Sequence, residues 1–211
     1  MRKKILLRVF LLLFVLTLLP WNGSDHPSDA NMVHTLRLAG LQAPVRMVRD
    51  SNYIPHIFAH NDHDALFMLG YVHAEDRFFQ MDFQRRLASG TLAELVGPSV
   101  LDIDIQLRTL GLRRAAEESL TALSPEAQAL LQAYSEGVNA YIFDETSSLP
   151  LEYEAIELTK AGVEPWSPVD SVTIGKLIAF GLSFDSLDLD LTVALDAYQQ
   201  AGLAGGFDGT T

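Results

Sequence analysis

Histidine is the residue type in this chain with the most evident chemistry, and all six histidines lie between residues 26 and 73. His56, His60 and His63 follow one another at spacings of four and three, which on a helix would place three imidazoles on one side as metal ligands. However, residues 55–61 are predicted to form a strand followed by a loop, where these spacings do not converge on one face. We therefore interpret these histidines as ordinary surface and turn residues.

The sequence contains no recognisable motif for a catalytic nucleophile. There is no cysteine, which excludes thiol nucleophiles, Cys-based zinc sites and iron–sulfur clusters within these residues. No Gly-x-Ser-x-Gly, Ser-x-x-Lys or Gly-x-x-x-x-Gly-Lys-Ser/Thr motif occurs. The carboxylate pairs Glu117-Glu118 and Glu152/Glu154 are interpreted as solvated charges. By itself, the chain lacks a catalytic constellation.

Composition limits the class of partner. The chain has 211 residues, of which 48% are hydrophobic, so it is long enough to bury a core of single-domain size. Its net charge is −12. Binding to phosphate groups requires clustered lysine and arginine, so we expect no nucleic-acid partner.

The first thirty residues are predicted to be a targeting segment with a linker. A basic start at residues 2–4 precedes the apolar run Val9–Leu19, which has signal-peptide length and is short for a membrane span. Ser28-Asp29-Ala30 places small residues suitably for cleavage before Asn31. Cleavage there and retention as an anchor through residues 5–19 both stay open. In either case the chain is expected to be periplasmic or otherwise extracytoplasmic, with membrane contact only through an uncleaved N-terminus.

Hydrophobic periodicity predicts a mainly helical fold with a small antiparallel sheet near the N-terminus. Alternating apolar and polar residues predict strands at residues 36–38, 45–49 and 54–59. Helical spacing predicts four helices, which cover residues 62–90, 99–123, 124–143 and 167 to 181 or beyond. Residues 146–168 are predicted to be irregular. The domain is expected to span residues 31–200, followed by a loose, glycine-rich tail at 201–211.

The first predicted helix has clear end signals and one apolar face. Asp62 or Asp64 is expected to cap its N-terminus, and Gly90 to end it. Asp82 and Arg86 are expected to pair on its exposed side. Residues at spacings of three and four form the apolar stripe Phe67, Gly70, Ala74, Phe78 and Met81.

A series of short motifs between residues 45 and 141 is specific enough to indicate a family. In order, they are VRD at 48–50, PHI at 55–57, GYVHAEDR at 70–77, FQM at 79–81, RR at 85–86, GTLAELVG at 90–97 and YSEGVNAY at 134–141. This series resembles the penicillin acylase (penicillin amidase) family, whose members are amide hydrolases of the N-terminal-nucleophile type. The resemblance covers the α-chain region of such a precursor, together with its leader.

The resemblance implies a two-chain enzyme. Family members are exported precursors that cleave themselves into an α chain, a spacer and a longer β chain. The β chain begins with the nucleophilic serine, whose own α-amino group is the base, and it also carries the oxyanion-hole donors. This chain alone is therefore expected to be inactive, and to form part of an αββα fold when paired. The implied substrates are small acyl amides, such as β-lactam side chains or acyl-homoserine lactones, and no organic cofactor is implied.

The resemblance also assigns roles to the last predicted helix. In better-known members this helix lines the acyl-binding pocket and supplies one carboxylate to a bound calcium ion. Alignment on Ser183 without gaps places the pocket positions at Ile178, Gly181 and Leu182, and the calcium carboxylate at Asp188. An oxygen ligand from a carboxylate suits calcium.

Two departures from the family pattern bear on these assignments. The calcium ligand would be aspartate where glutamate is expected, and a one-turn shift would select Asp190 or Asp185 instead. Arginine and phenylalanine, found in some members' pockets, are replaced by Gly181 and Leu182, which would leave room for a longer acyl chain. The competing interpretations are a solvated Asp188 and ordinary core packing at the pocket positions.

A second function class also fits the sequence. The chain could be a truncated, non-catalytic exported helical module or a gene fragment that shares the scaffold and has no catalytic partner. Under the enzyme hypothesis, we expect a sizeable apolar surface to be exposed where the β chain would pack.

Overall fold

The computed structural model describes residues 35–145, 147–156, 158–183 and 186–207, and of residues 186–190 the backbone alone. The elements, in chain order, are β1 Arg46–Arg49, β2 Pro55–Phe58, α1 Asp62–Ser89, α2 Ala93–Val96, a 3-10 helix Pro98–Val100, α3 Leu101–Leu110, α4 Leu112–Ala122, α5 Pro125–Ile142, α6 Leu151–Ala155, a 3-10 helix Lys160–Gly162, α7 Pro168–Ser183 and α8 Ser186–Gly205. The prediction of a mainly helical chain with a small antiparallel sheet is confirmed. The leader at residues 1–30 lies outside the described residues.

The described residues from Leu38 onward form one compact unit. The predicted strand at residues 36–38 is wrong, because the described residues there have no strand pairing. Within the described part of the chain, no helix is long and apolar enough to cross a membrane.

The hairpin β1–β2 is antiparallel, with Arg46 opposite Phe58 and Arg49 opposite Pro55. Its turn is organised by Asp50, whose Oδ1 accepts hydrogen bonds from the backbone N–H groups of residues 52 and 54 at 2.8 and 3.0 Å. The turn therefore satisfies its own backbone donors, as an Asx-type turn does.

Helix α1 has its N-cap one residue before the predicted cap Asp62 and three before the alternative Asp64. Asn61 is the N-cap, and its side-chain oxygen accepts a hydrogen bond from the N–H of Asp64 at 2.7 Å. The Asp64 carboxylate is fully buried and instead accepts hydrogen bonds from the N–H groups of Gln42 and Ala43. Burial opposes ionisation, but these and neighbouring hydrogen bonds lower the pKa of Asp64 to about 2. Gly90, at φ 67°, ends the helix as predicted.

Helices α1 and α5 pack closely because each has a glycine at the crossing. A Cβ at Gly70 would overlap the carbonyl oxygen of Tyr134, and a Cβ at Gly137 would overlap that of Phe67. The predicted stripe on α1 lies on this side, with Phe67 and Phe78 buried. These two glycines therefore set the distance between the two central helices.

The main core lies beside this crossing. Phe78 stacks on Tyr153, with ring centroids 5.8 Å apart, and both side chains are fully buried. Tyr153 belongs to α6, a short helix inside the segment that was predicted to be irregular. The other buried members of this cluster are Ala74, Leu92, Leu95, Val100, Val138, Ile142, Val163 and Trp166.

Two further helix predictions and the predicted loose tail had different outcomes. The helix predicted at residues 99–123 is divided into α3 and α4 by Gly111, whose left-handed φ of 78° ends α3. The start of α5 is confirmed, since Ser124 Oγ accepts a hydrogen bond from the N–H of Ala127 and Pro125 occupies the first turn. The tail predicted to be loose, residues 201–211, is helical as far as Gly205, because α8 continues into it.

Candidate functional site

The candidate site is α7, the helix that carries the predicted pocket positions, and its N-terminus is firmly anchored. The N–H and hydroxyl of Ser167 both donate to Asp170 Oδ2 at 2.8 Å. Asp170 Oδ1 accepts a hydrogen bond from Arg113 Nη1 of α4, also at 2.8 Å. Arg85 Nη1 of α1 lies 3.6 Å from Asp170 Oδ2. Two helices of the core thus hold one buried carboxylate in the first turn of α7.

Trp166, two residues before the first residue of α7, is anchored as well. The Asn139 side-chain amide donates to the Trp166 carbonyl at 2.8 Å and accepts from the Trp166 N–H at 2.7 Å. The Trp166 indole N–H donates to Ser171 Oγ at 3.0 Å. The Arg85 guanidinium lies over the indole ring, 5.2 Å from its centroid. Asn139, from the YSEGVNAY motif, therefore holds the backbone of the chain immediately before α7.

Burial changes abruptly along α7. Thr173 is fully buried, whereas every residue from 178 to 183 is exposed. Ile178 is 55% exposed and Leu182 is 85% exposed, although both are large and apolar. A Cβ added at Gly181 would meet none of the described atoms within 4 Å.

The three predicted pocket positions therefore share one exposed helical segment. Ile178 and Leu182 are four residues apart, so they lie on one side of α7, and Gly181 is three residues from Ile178. The structure brings them together on this helix and exposes them to solvent. Their role in a pocket stays a prediction.

Helix α8 continues the exposed apolar surface. Its exposed large side chains are Leu191, Val193, Leu195, Tyr198 and Leu203. We call residues 178–183 and 191–203 the open helices. Large apolar side chains exposed together in this way are characteristic of a protein–protein interface. This agrees with the apolar surface that was expected to be exposed under the enzyme hypothesis.

The predicted calcium ligand lies in α8. Asp188 and its alternative Asp190 belong to this helix, but their side chains are not among those described, and Asp185 lies outside the described residues. Among the side chains that the structure describes, no group of three or more His, Asp or Glu residues could hold a metal. The metal assignment of Asp188 stays a prediction.

The sequence did not reveal how Arg49 of the VRD motif is used. Its guanidinium donates to both carboxylate oxygens of Asp76, at 2.8 and 3.0 Å, and also reaches Glu75. This bidentate pair joins the hairpin to α1. Arg49 and Asp76 are 27 residues apart, so helical spacing could not indicate that they pair. The only indication in the sequence was that both residues belong to family motifs.

The Asp82–Arg86 pair was predicted on the exposed side of its helix, and this exposure is wrong. Asp82 and Arg86 do pair, but both are buried, because α6 and the segment before α7 cover this side of α1. Asp82 also accepts hydrogen bonds from Arg85 Nε at 2.6 Å and from the Tyr153 hydroxyl at 2.8 Å. Burial and the Asp82 charge raise the pKa of Tyr153 far above its usual value, so its hydroxyl stays a donor.

Comparison with known proteins places most of the chain in one family. The model of the penicillin amidase family matches residues 44–207. Acyl-homoserine lactone acylase QuiP of Pseudomonas aeruginosa is 43% identical over 148 residues, which are 69% of this chain and 17% of that protein. Penicillin acylase 2 proenzyme of Pseudomonas sp. strain SE83 is 43% identical over 140 residues, 66% of this chain and 18% of that protein.

A solved structure is similar as well. A thermostable penicillin G acylase from Alcaligenes faecalis superposes with a TM-score of 0.65 at 28% sequence identity, covering 74% of this chain and 83% of that chain. This chain spans less than one fifth of the length of the two curated relatives above.

Proposed function

The chain belongs to the penicillin amidase family, and from this membership we propose that it is the α-chain portion of an exported amidohydrolase. The enzyme would cleave an acyl group from a linear amide. Coverage supports the α-chain role: the match takes up under one fifth of the curated relatives but 83% of a polypeptide in the solved relative. The matched region thus occurs there as a chain of comparable length. One curated relative is also named a proenzyme, which fits a precursor that is cleaved.

The observation that carries this proposal is the open end of α7. A helix anchored at its start and exposed on all sides from residue 178 is suited to be covered by another chain. We propose that the β chain packs on the open helices and completes an acyl pocket with Ile178, Gly181 and Leu182. The nucleophilic serine would be the first residue of that β chain. Relatives are named as acylases of penicillin and of acyl-homoserine lactones, so both substrate classes are proposed.

The proposal is tested by expressing three samples: this chain, the polypeptide encoded downstream of Thr211, and both together. We expect hydrolysis of a chromogenic acyl amide or of an acyl-homoserine lactone only when both are present. Turnover by the isolated chain would contradict the α-chain role. Failure of the assembled pair on every acyl amide would favour the non-catalytic module.

A phenylalanine at position 181 should change the acyl preference of the assembled enzyme. Since a Cβ there meets no described atom of this chain within 4 Å, Gly181→Phe would project a ring into the proposed pocket and exclude long acyl chains. We expect the ratio of kcat/KM for long-chain over phenylacetyl substrates to fall about tenfold or more, the scale of steric discrimination in apolar pockets.

The matched control is Gly175→Phe. A Cβ added at this glycine likewise meets no described atom within 4 Å, but the position lies about 120° around the helix from position 181. Its substrate ratio should stay unchanged. Equal ratios for Gly181→Phe and the unaltered enzyme would remove position 181 from the acyl pocket.

We propose Asp188 as one carboxylate ligand of a structural calcium ion. Calcium takes six to eight oxygen ligands, so a single aspartate fits as a donor only if the β chain supplies most of the others. Asp188→Ala should then reduce the difference in Tm between the enzyme with calcium and the chelated enzyme by several degrees. Asp196→Ala, an exposed aspartate of the same helix, is the control. An undiminished calcium effect in Asp188→Ala, together with a loss in Asp190→Ala, would select the one-turn shift.

Export is proposed from the N-terminal segment. The leader would direct the chain out of the cytoplasm and either be removed before Asn31 or remain as an anchor through residues 5–19. The mass of the α chain recovered from the extracytoplasmic fraction distinguishes these outcomes, and recovery from the cytoplasm alone would contradict both.

A further inference from the structure

We propose that Arg113 is a positioning residue for acyl binding, because it fixes the direction of α7 through Asp170. This inference rests on the proposed function, in which the far end of α7 lines the acyl pocket. Arg113 itself lies on α4 and would touch neither substrate nor nucleophile. We call Arg85, Arg113 and Asp170 the clamp.

The clamp ties one carboxylate to two helices. Arg113 Nη1 lies 2.8 Å from Asp170 Oδ1 and 3.2 Å from Ser89 Oγ, so it connects α4, α7 and the end of α1. Asp170 is buried, which makes its hydrogen bonds with charged groups stronger than they would be in water.

Arg85 is held independently of the other two residues. Its guanidinium donates to Asp82 and to the carbonyls of Glu164 and Pro165, at 2.6, 2.8 and 3.2 Å respectively. It approaches Asp170 only to 3.6 Å. Arg113 is therefore the closer of the two cationic contacts to Asp170, and the one whose removal leaves the α1 network intact.

The geometry of α7 makes its far end sensitive to this anchor. Ile178 and Leu182 follow Asp170 by eight and twelve residues, which is about 12 and 18 Å along a helix. A tilt of about 5° at Asp170 would move these positions by about 1 to 1.6 Å. Asp170 and Thr173 are buried, whereas the described residues 178–183 are all exposed, so the packing that holds α7 lies towards its start. Displacements of this size are large for a binding site.

The experiment compares Arg113→Gln, Arg113→Lys and Glu117→Gln in the complete processed enzyme. Arg113→Gln removes the link to Asp170 and leaves the Ser167–Asp170 hydrogen bonds in place. Because the pocket holds the acyl group in the ground state and the transition state alike, KM for the acyl amide should rise about fivefold or more with little change in kcat. Arg113→Lys keeps the charge without the planar fork and should restore part of the loss.

Glu117→Gln is the matched control, because Glu117 is the exposed partner of Arg113, at 3.6 Å. It should leave KM unchanged. Hydrogen exchange of the amides in residues 174–183 should be faster in Arg113→Gln than in this control. A lowered Tm with unchanged KM and unchanged exchange in α7 would show that Arg113 only supports the fold, and would overturn the inference. An unaltered enzyme without acylase activity would instead refute the proposed function first.

Discussion

Replacing Gly137 by alanine is expected to leave little folded protein. The added methyl group would overlap the backbone carbonyl oxygen of Phe67 in α1, and no rotamer change can move a backbone atom aside. Helices α1 and α5 would have to separate, which would open the core around Val138 and Phe78. We expect a loss of about 3 kcal/mol or more, at the upper end of the range for overpacked interiors. Denaturant unfolding of the full-length protein measures it, or its soluble yield where none folds.

Two further variants test this explanation. Gly70→Ala meets the same crossing from the other helix, against the Tyr134 carbonyl, and should cost a similar amount. Gly175→Ala makes the same chemical change in α7 at a position where the added Cβ meets no described atom within 4 Å, and it should be neutral or slightly stabilising. A Gly137→Ala protein as stable as Gly175→Ala would show that the helices do not cross as closely as described.

This crossing shows how far the sequence could predict the structure. Helix ends with a local signal were predictable: Ser124-Pro125 begins α5 and Gly90 ends α1. The GYVHAEDR and YSEGVNAY motifs identified the family, yet nothing local in them indicates that Gly70 and Gly137 lie at the same helix crossing. Their role depends on two helices packing together, so it appears only in the folded chain.

Predictions from local patterns failed where a residue of the pattern is hydrogen-bonded to a residue far away in sequence. Asp64 looked like a helix cap, but its carboxylate is needed by the loop at residues 42–43, and Asn61 caps α1 instead. Asp82 and Arg86 looked like a surface pair, because helical spacing does not show that Tyr153 will cover them. The Asp82–Arg86 pair was identified correctly but placed on the wrong side, whereas the cap was assigned to the wrong residue. In both cases the deciding hydrogen-bond partners lie more than 20 residues away in sequence.

Of the candidate site, the sequence predicted the positions on α7 but not the residues that anchor this helix. Family resemblance placed Ile178, Gly181 and Leu182 on the last predicted helix, and the structure puts them on one open segment of α7. The clamp at Asp170 was missed, because its arginines lie 57 and 85 residues away in sequence. In the proposed function a second chain completes the pocket, so the sequence of this chain alone would not determine its specificity.

Removing the Asp82 carboxylate is the second substitution expected to have a large effect. Asp82 is fully buried and accepts hydrogen bonds from Arg85, Arg86 and Tyr153. Asp82→Ala would leave two buried guanidinium groups without this counter-charge. We expect a loss of about 3–5 kcal/mol in the free energy of unfolding, the cost typical of breaking a buried ion pair on one side. Denaturant unfolding of the full-length protein measures it.

The matched comparison separates burial from the mere presence of an ion pair. Glu94→Gln removes the other carboxylate partner of Arg86, at 3.3 Å, but the Glu94 side chain is 63% exposed, so its loss should cost less than about 1 kcal/mol. Tyr153→Phe removes one hydrogen bond from Asp82 and keeps the ring stacked on Phe78, for which we expect about 1–2 kcal/mol. The expected loss in the free energy of unfolding is therefore largest for Asp82→Ala, smaller for Tyr153→Phe and smallest for Glu94→Gln. If Glu94→Gln were as costly as Asp82→Ala, the charge balance around Arg86 rather than burial of Asp82 would govern this part of the core.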